Sequence, residues 1–429
     1  MRGHDLAALR RLNTIAVLRF LRSQGPGRPQ SLSQLAAATG LSRPTVDQVV
    51  EELTAQGWLT EASDPAAGRS GRPARRFRFR GEAGRVVGVD IGLHKVVLLL
   101  SDLAGDITAS HREEMDPDMG GAERLAFLRA RIERFLDDQK VPQEELWALC
   151  VGVPGVVGET GRITSVIVPE WSDFELARRL GESFPCRILA ENDVNLATLA
   201  EHWQGAAQLA DDVVCLLIGH RSSCGVMLGG RLHRGHRGWA GELGLHRRLG
   251  LSDAHEELSW RGERRLGTSP PKAVATSAPE EAGAGPSEAV AVSPPKAVGV
   301  SPPEAGEGSD IAALARAAGE GNPEALDVLD RYAARLAPGI GALLLAVDPE
   351  LVVLSGGMTP VGEALTPLLT RHLRDVALDV PLHVPRIAVS TLGEQGVALG
   401  AVRKALDSVE ALLSDATGPL PSVPPSPTR

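Results

Sequence analysis

Between Ser31 and Leu59 the apolar positions fall on a helical period. Val46, Val49, Val50 and Leu53 recur at i, i+3, i+4 and i+7, which predicts a helix with one stripe turned to a core and the opposite face free. Ahead of it, Leu32, Leu35 and Ala36 form a shorter apolar face. Thr39-Gly40-Leu41-Ser42 predicts the turn between them, with Gly40 accepting the backbone angle and Ser42 capping the second helix. Two helices so joined make a helix-turn-helix. Past Trp58-Leu59-Thr60, the segment Gly68 to Arg80 (GRSGRPARRFRFR) alternates basic with apolar residues, as the second strand of a wing does. From Arg85 the pattern changes: VVGVDIG reads as a buried strand ending in Asp90 and Gly92. KVVLLLSDLAGDI then reads as its hairpin partner, a turn at Asp102 to Asp106 and a third strand.

Charge separates the two regions. Residues 1–85 hold fourteen arginines and no lysine against seven carboxylates, leaving 31 basic and 47 acidic residues for the rest of the chain. A basic head on an acidic body localises nucleic-acid affinity to the head. A recognition helix uses its N-terminal residues on major-groove edges, which nominates Ser42, Arg43, Pro44, Thr45, Asp47 and Gln48. Gln48 suits adenine, Arg43 suits phosphate or guanine, and Asp47 accepts from cytosine while repelling phosphate. Arg69 and Arg72 sit beside glycines that permit close approach to a narrow minor groove. A solvated basic face on a small helical domain is the bland alternative.

At 429 residues with 43% apolar content, the chain is long enough for several compact units. It has no apolar run of transmembrane length and no signal-type block, so it is expected in the cytoplasm without membrane contact. Cys150, Cys186, Cys215 and Cys224 are scattered, against both a disulfide framework and a cysteine zinc site. Residues 266–309 collapse to Pro, Ala, Glu, Ser, Gly and Val, with SPPKAV at Ser269 and again at Ser293, and are expected to be a disordered insert. The tail from 411 to 429 has the same character. These boundaries divide the chain into a head, 1–82, and a body, 83–410.

The body carries further segments: ALCVGVPGVVG from Ala148, ILAENDVNLATLAEHWQG from Ile188, GVMLGGRLHRGHRGWAGELG from Gly225 and LVVLSGGM from Leu351. With LRRLNTIAVLRFL, Leu9 to Leu21, they resemble the ROK family of repressors, open reading frames and kinases, specifically its winged-helix transcriptional regulators. The resemblance implies an α/β chain: an N-terminal winged helix-turn-helix followed by a two-lobed actin-like ATPase domain of the sugar-kinase type. It also implies a sugar site between the lobes, formed here by Gly155, Asn192, Asp193, Glu242 and Glu257. Asp193 matches the kinases' catalytic base. Asn192 equally suits the cap of a helix starting near Val194, and Glu242 a pair with a nearby arginine.

The kinase parts are incomplete. The family's D-x-G-G-T-K loop is Asp90-Ile91-Gly92-Leu93-His94-Lys95 here, and its second, glycine-rich phosphate loop is Gly219-His220-Arg221-Ser222-Ser223-Cys224-Gly225. The zinc module keeps Glu242-Leu243-Gly244 but has Leu245 at the histidine place, with His246 one position late and no cysteine following. Glu170 stands where the family has an asparagine before Trp171. The expectation is a regulator without catalysis, metal or cofactor, that binds a double-stranded DNA operator as a homodimer or dimer of dimers and responds to a sugar or sugar derivative. The alternatives are an active sugar kinase with a DNA-binding appendage and a ligand-independent DNA-binding scaffold.

Overall fold

The computed structural model describes residues 2–25, 28–62, 75–165, 167–218, 222–246, 249, 251, 254–258, 307–376, 383–415 and 420–421. The head begins with α1 (Arg2–Gln24), β1 (Gln30–Ser31), α2 (Leu32–Thr39) and α3 (Arg43–Ala55), and ends with β2 (Leu59–Ala62) and β3 (Arg76–Phe79). The strands pair antiparallel in the order β1-β3-β2, the sheet of a winged helix. Helix α2 opens on a capping box between Ser31 and Gln34 and stops at Gly40, whose φ is +69°. Helix α3 opens on Ser42, with Val46, Val49, Val50 and Leu53 on its buried stripe.

The body repeats one topology twice. Its first lobe contains β4 (Arg85–Ile91), β5 (Lys95–Asp102), β6 (Ile107–Glu114), α4 (Gly121–Asp138) and β7 (Leu146–Val153). The short hairpin β8 (Val156–Val157) and β9 (Ile163–Thr164), then α5 (Leu176–Gly181) and β10 (Arg187–Asn192), complete it, and α6 (Asp193–Gln204) follows. The second lobe contains β11 (Val213–Leu217), β12 (Ser223–Leu228), β13 (Arg231–His233), α7 (Glu307–Gly319), α8 (Pro323–Val347), β14 (Leu351–Ser355), α9 (Gly362–Val376), β15 (Arg386–Val389) and α10 (Gly396–Leu413). Sheet orders are β10-β7-β4-β5-β6 and β13-β12-β11-β14-β15, in each case three antiparallel strands continued by two parallel ones. The turn from β5 to β6 is held by Asp102, whose Oδ1 accepts from the amides of Ala104, Gly105 and Asp106.

The last helix of each lobe crosses to the other. Helix α10 packs on β4 and β7, while α6 packs on β11 and β12. The crossing is backbone to backbone: a Cβ on Gly400 would lie 1.8 Å from Leu196 O, and one on Gly88 2.2 Å from Ala398 O. A central core between the sheets continues into the head, joining Val17, Leu18, Leu35 and Leu53 to Val86, Leu196 and Val402. Separate clusters cover the outer faces of the two sheets.

Two boundaries move. Helix α7 starts at Glu307, inside the 266–309 span that composition assigns to the insert, because Ile311, Leu314 and Ala318 give it a face to bury. Helix α10 runs past residue 410 to Leu413, which is buried in the central core. The expected insert at 266–306 lies outside the described residues, as does 422–429 of the tail.

Candidate functional site

The head presents the N-terminus of α3. Ser42 Oγ accepts from Thr45 N at 3.3 Å and lies 2.8 Å from Thr45 Oγ1, so both residues serve the cap. Arg43, Pro44 and Gln48 are exposed, and Thr45 and Asp47 half-buried. In the wing, Arg75 forms two 3.0 Å hydrogen bonds to Glu61, and that carboxylate, with Asp47 and Glu51 nearby, holds its guanidinium above the usual arginine range. Arg69 and Arg72 lie outside the described residues.

The second site is built at the carboxyl ends of three parallel strands. Register places Asp90 of β4 beside Gly152 of β7, and Asn192 of β10 beside Val153, so Asp90, the Pro154-Gly155 turn and Asn192-Asp193 share one sheet edge. Gly155 is required by packing, since a Cβ there would lie 2.8 Å from Thr164 O. The opposite wall is the loop after β13. Gly238 (φ +83°) presses on Val157 O and Gly241 (φ +88°) on Cys224 O, both too close for any side chain. The loop thereby delivers Glu242.

Asn192 joins the two walls. Its Oδ1 caps α6 by accepting from Asn195 N at 3.1 Å, and its Nδ2 donates to Gly155 O at 3.1 Å and Glu242 Oε1 at 3.2 Å. The capping and cleft roles are therefore compatible. Asp193 Oδ1 accepts from Val194 N at 2.8 Å. Burial, reinforced by Asp90 and then Glu242, pushes the Asp193 carboxyl up to about 7. Burial likewise pushes Asp90 up to about 6 and raises Glu242. Three carboxyls reluctant to ionise beside one amide form a dense set of hydroxyl partners that repels anions.

Glu257 is not brought into this group. Its carboxylate pairs with Arg331 at 3.2 Å and Arg335 at 3.5 Å, both on α8. Glu170 is exposed at the start of the 3-10 turn that seats Trp171, whose Nε1 donates to Gly121 O. His246 is exposed, and among the described residues no group of three His, Cys, Asp or Glu side chains is placed to hold a metal ion.

Several participants escape sequence reasoning. Glu191 is fully buried, accepting from Asn192 N and Asn195 Nδ2 while pairing with Arg234 at 3.1 Å and Lys404 at 2.8 Å. Its position before Asn192 is a signal, but its cations come from remote segments. Arg124, also buried, donates to the carbonyls of Gly92 and Leu93 and fixes the loop after Asp90. Lys95, the first residue of β5, is paired at 2.9 Å with Glu394, which Arg112 also holds.

A winged helix joined through a common core to a body of twice-repeated topology, with a carboxyl- and amide-lined cleft, defines a regulator-type architecture built on a sugar-kinase fold. The ROK family model matches residues 86–407 and the MarR family model residues 11–70, and the chain belongs to the ROK family. It is 22% identical to the xylose repressor of Caldicellulosiruptor bescii over 94% of this chain and 96% of that protein. It is 25% identical to a glucokinase of Halalkalibacterium halodurans over 73% of this chain and 92% of that one. The crystal structure of a ROK family transcriptional regulator, a homologue of the E. coli MLC protein, superposes with a TM-score of 0.65 at 18% identity, over 96% of this chain and all of that one. That likeness establishes the fold from head to body. Among the described residues no helix is long and apolar enough to cross a membrane.

Proposed function

We propose that the chain is a DNA-binding transcriptional repressor whose kinase-like body senses a neutral sugar or sugar derivative without phosphorylating it. The observation that carries this reading is the pairing, on one continuous core, of an α3 N-terminus open at Arg43, Pro44 and Gln48 with a cleft where Asn192 bridges Gly155 and Glu242. Repressor relatives matching almost end to end support it. The cleft's carboxyl cluster favours a polyol over a phosphorylated sugar, because each of Asp90, Asp193 and Glu242 resists further negative charge. Lys95 is engaged by Glu394, and Leu93-His94 stand where the kinases have Gly-Thr, which opposes phosphate binding in the first loop. The protein acts as a homodimer on two half-sites separated by whole helical turns.

The test is a fluorescence-anisotropy titration of the full-length protein against DNA upstream of its own gene, at two salt concentrations, with D-xylose, D-glucose or N-acetyl-D-glucosamine. A specific, salt-dependent complex weakened by one sugar supports the reading. Specific binding indifferent to all three favours a scaffold. Absence of specific binding, together with sugar-dependent ADP release in a coupled assay, replaces it with the kinase.

A further inference from the structure

Helix α10 touches both functional ends of the molecule. At its start, Glu394 in the preceding 3-10 turn pairs with Lys95 and raises the proton affinity of Asp90. In its middle, Lys404 reaches the buried Glu191, whose other oxygen holds the backbone amide of Asn192. At its end, Glu410 pairs with Arg22 at 3.4 Å and Arg19 at 3.9 Å, and Arg11 donates to Leu413 O and Asp415 O. Arg11, Arg19 and Arg22 all belong to α1, which packs on α3. The helix spans about 27 Å at 1.5 Å per residue.

We propose that α10 is the element through which the cleft acts on the DNA-reading head, with Lys404 as its positioning residue at the cleft and Glu410 at the head. The inference rests on the reading of the cleft as a sensor. Asn192 Nδ2 donates to Glu242 Oε1 across the cleft. A hydroxylated ligand competes for both groups, and any displacement of Asn192 is shared with Glu191 through the amide, and with Lys404 through the ion pair. The close backbone contacts of Gly400 on Leu196 and of Ala398 on Gly88 leave α10 no slack to absorb the shift locally. It moves as a unit, and α1 moves with it. The DNA affinity changes only so far as the ligand prefers one of the two placements.

Hydrogen exchange measured by mass spectrometry tests the route without a ligand, using the full-length protein and its Lys404→Met, Lys404→Arg and Glu410→Gln variants. Lys404→Met leaves Glu191 paired with Arg234, so the body has a partner for its buried carboxylate. Exchange across residues 8–24 of α1 is expected to rise about threefold in Lys404→Met, to return in Lys404→Arg, and to rise no further when Lys404→Met is added to Glu410→Gln. Unchanged exchange in α1, or strictly additive increments, overturns the proposal. In parallel, the sugar-induced change in DNA affinity should fall towards none in Lys404→Met; full retention of that change also overturns it. If the wild-type protein responds to none of D-xylose, D-glucose and N-acetyl-D-glucosamine, the sensing reading fails while the exchange cycle still decides the role of α10.

Discussion

Asp193 stands where helix geometry and burial act on one carboxyl in opposite directions. It starts α6, where the helix's free amides favour a carboxylate, and Val194 N donates to it. Burial and the neighbouring Asp90 and Glu242 oppose its ionisation more strongly, raising it to about 7. A carboxyl whose folded-state pKa lies above its unfolded value stabilises the native state at acid pH. That contribution is lost as pH rises from about 4 through 7. Asp193→Asn removes the titration, so the variant should gain on the wild type by about 2 kcal/mol between pH 5 and pH 8 in thermal denaturation. A stability difference independent of pH would contradict the assignment. The grouping of Gly155, Asn192, Asp193 and Glu242 was expected from the family resemblance, and the fold brings Asn192 into hydrogen bonds with Gly155 and Glu242. Glu257, expected with them, is held elsewhere, because only the fold shows Arg331 and Arg335 turned towards it.

At the scale of elements, α3 separates the residues that close its N-terminus from those left facing solvent. Ser42 and Thr45 bond to each other and close the helix end, whereas Gln48 is exposed. Ser42→Ala should lower stability by about 1 kcal/mol and weaken binding to operator and random duplexes alike. Gln48→Ala should leave stability within about 0.5 kcal/mol while narrowing the gap between the two DNAs. Anisotropy titrations on both duplexes check this; a loss of discrimination in Ser42→Ala equal to that in Gln48→Ala would merge the roles. The helical stripe that defines α3 could be read directly, since its period involves neighbours in the chain. The two-residue β1 is too short for any period, and the exchange of α6 and α10 between lobes depends on contacts such as Gly400 with Leu196, which no local pattern encodes.

At the scale of the whole molecule, the basic head is less free than its charge suggests. Arg11, Arg19 and Arg22 are engaged with the end of α10, so part of the head's positive charge joins it to the body. The junction also has an apolar centre. Trp58, fully buried in the head, meets Trp147 of β7 edge-on at 5.3 Å, and β3 runs through the Gly81–Ala83 turn into β4. Gly84 is pressed so closely on the Trp147 ring that a Cβ would lie 2.4 Å away. A head joined in this way should unfold with the body, giving one calorimetric transition in the wild type. Trp147→Ala opens a cavity at the junction and should cost about 3 kcal/mol, splitting the transition so that the head melts first. A wild type already melting in two steps would mean that head and body are energetically independent despite their common core, whereas a Trp147→Ala variant that still melts in one would mean that their coupling does not depend on this contact. Independence of that kind would also remove the physical basis for communication between cleft and α3, because packed contact is the means by which a shift in one reaches the other.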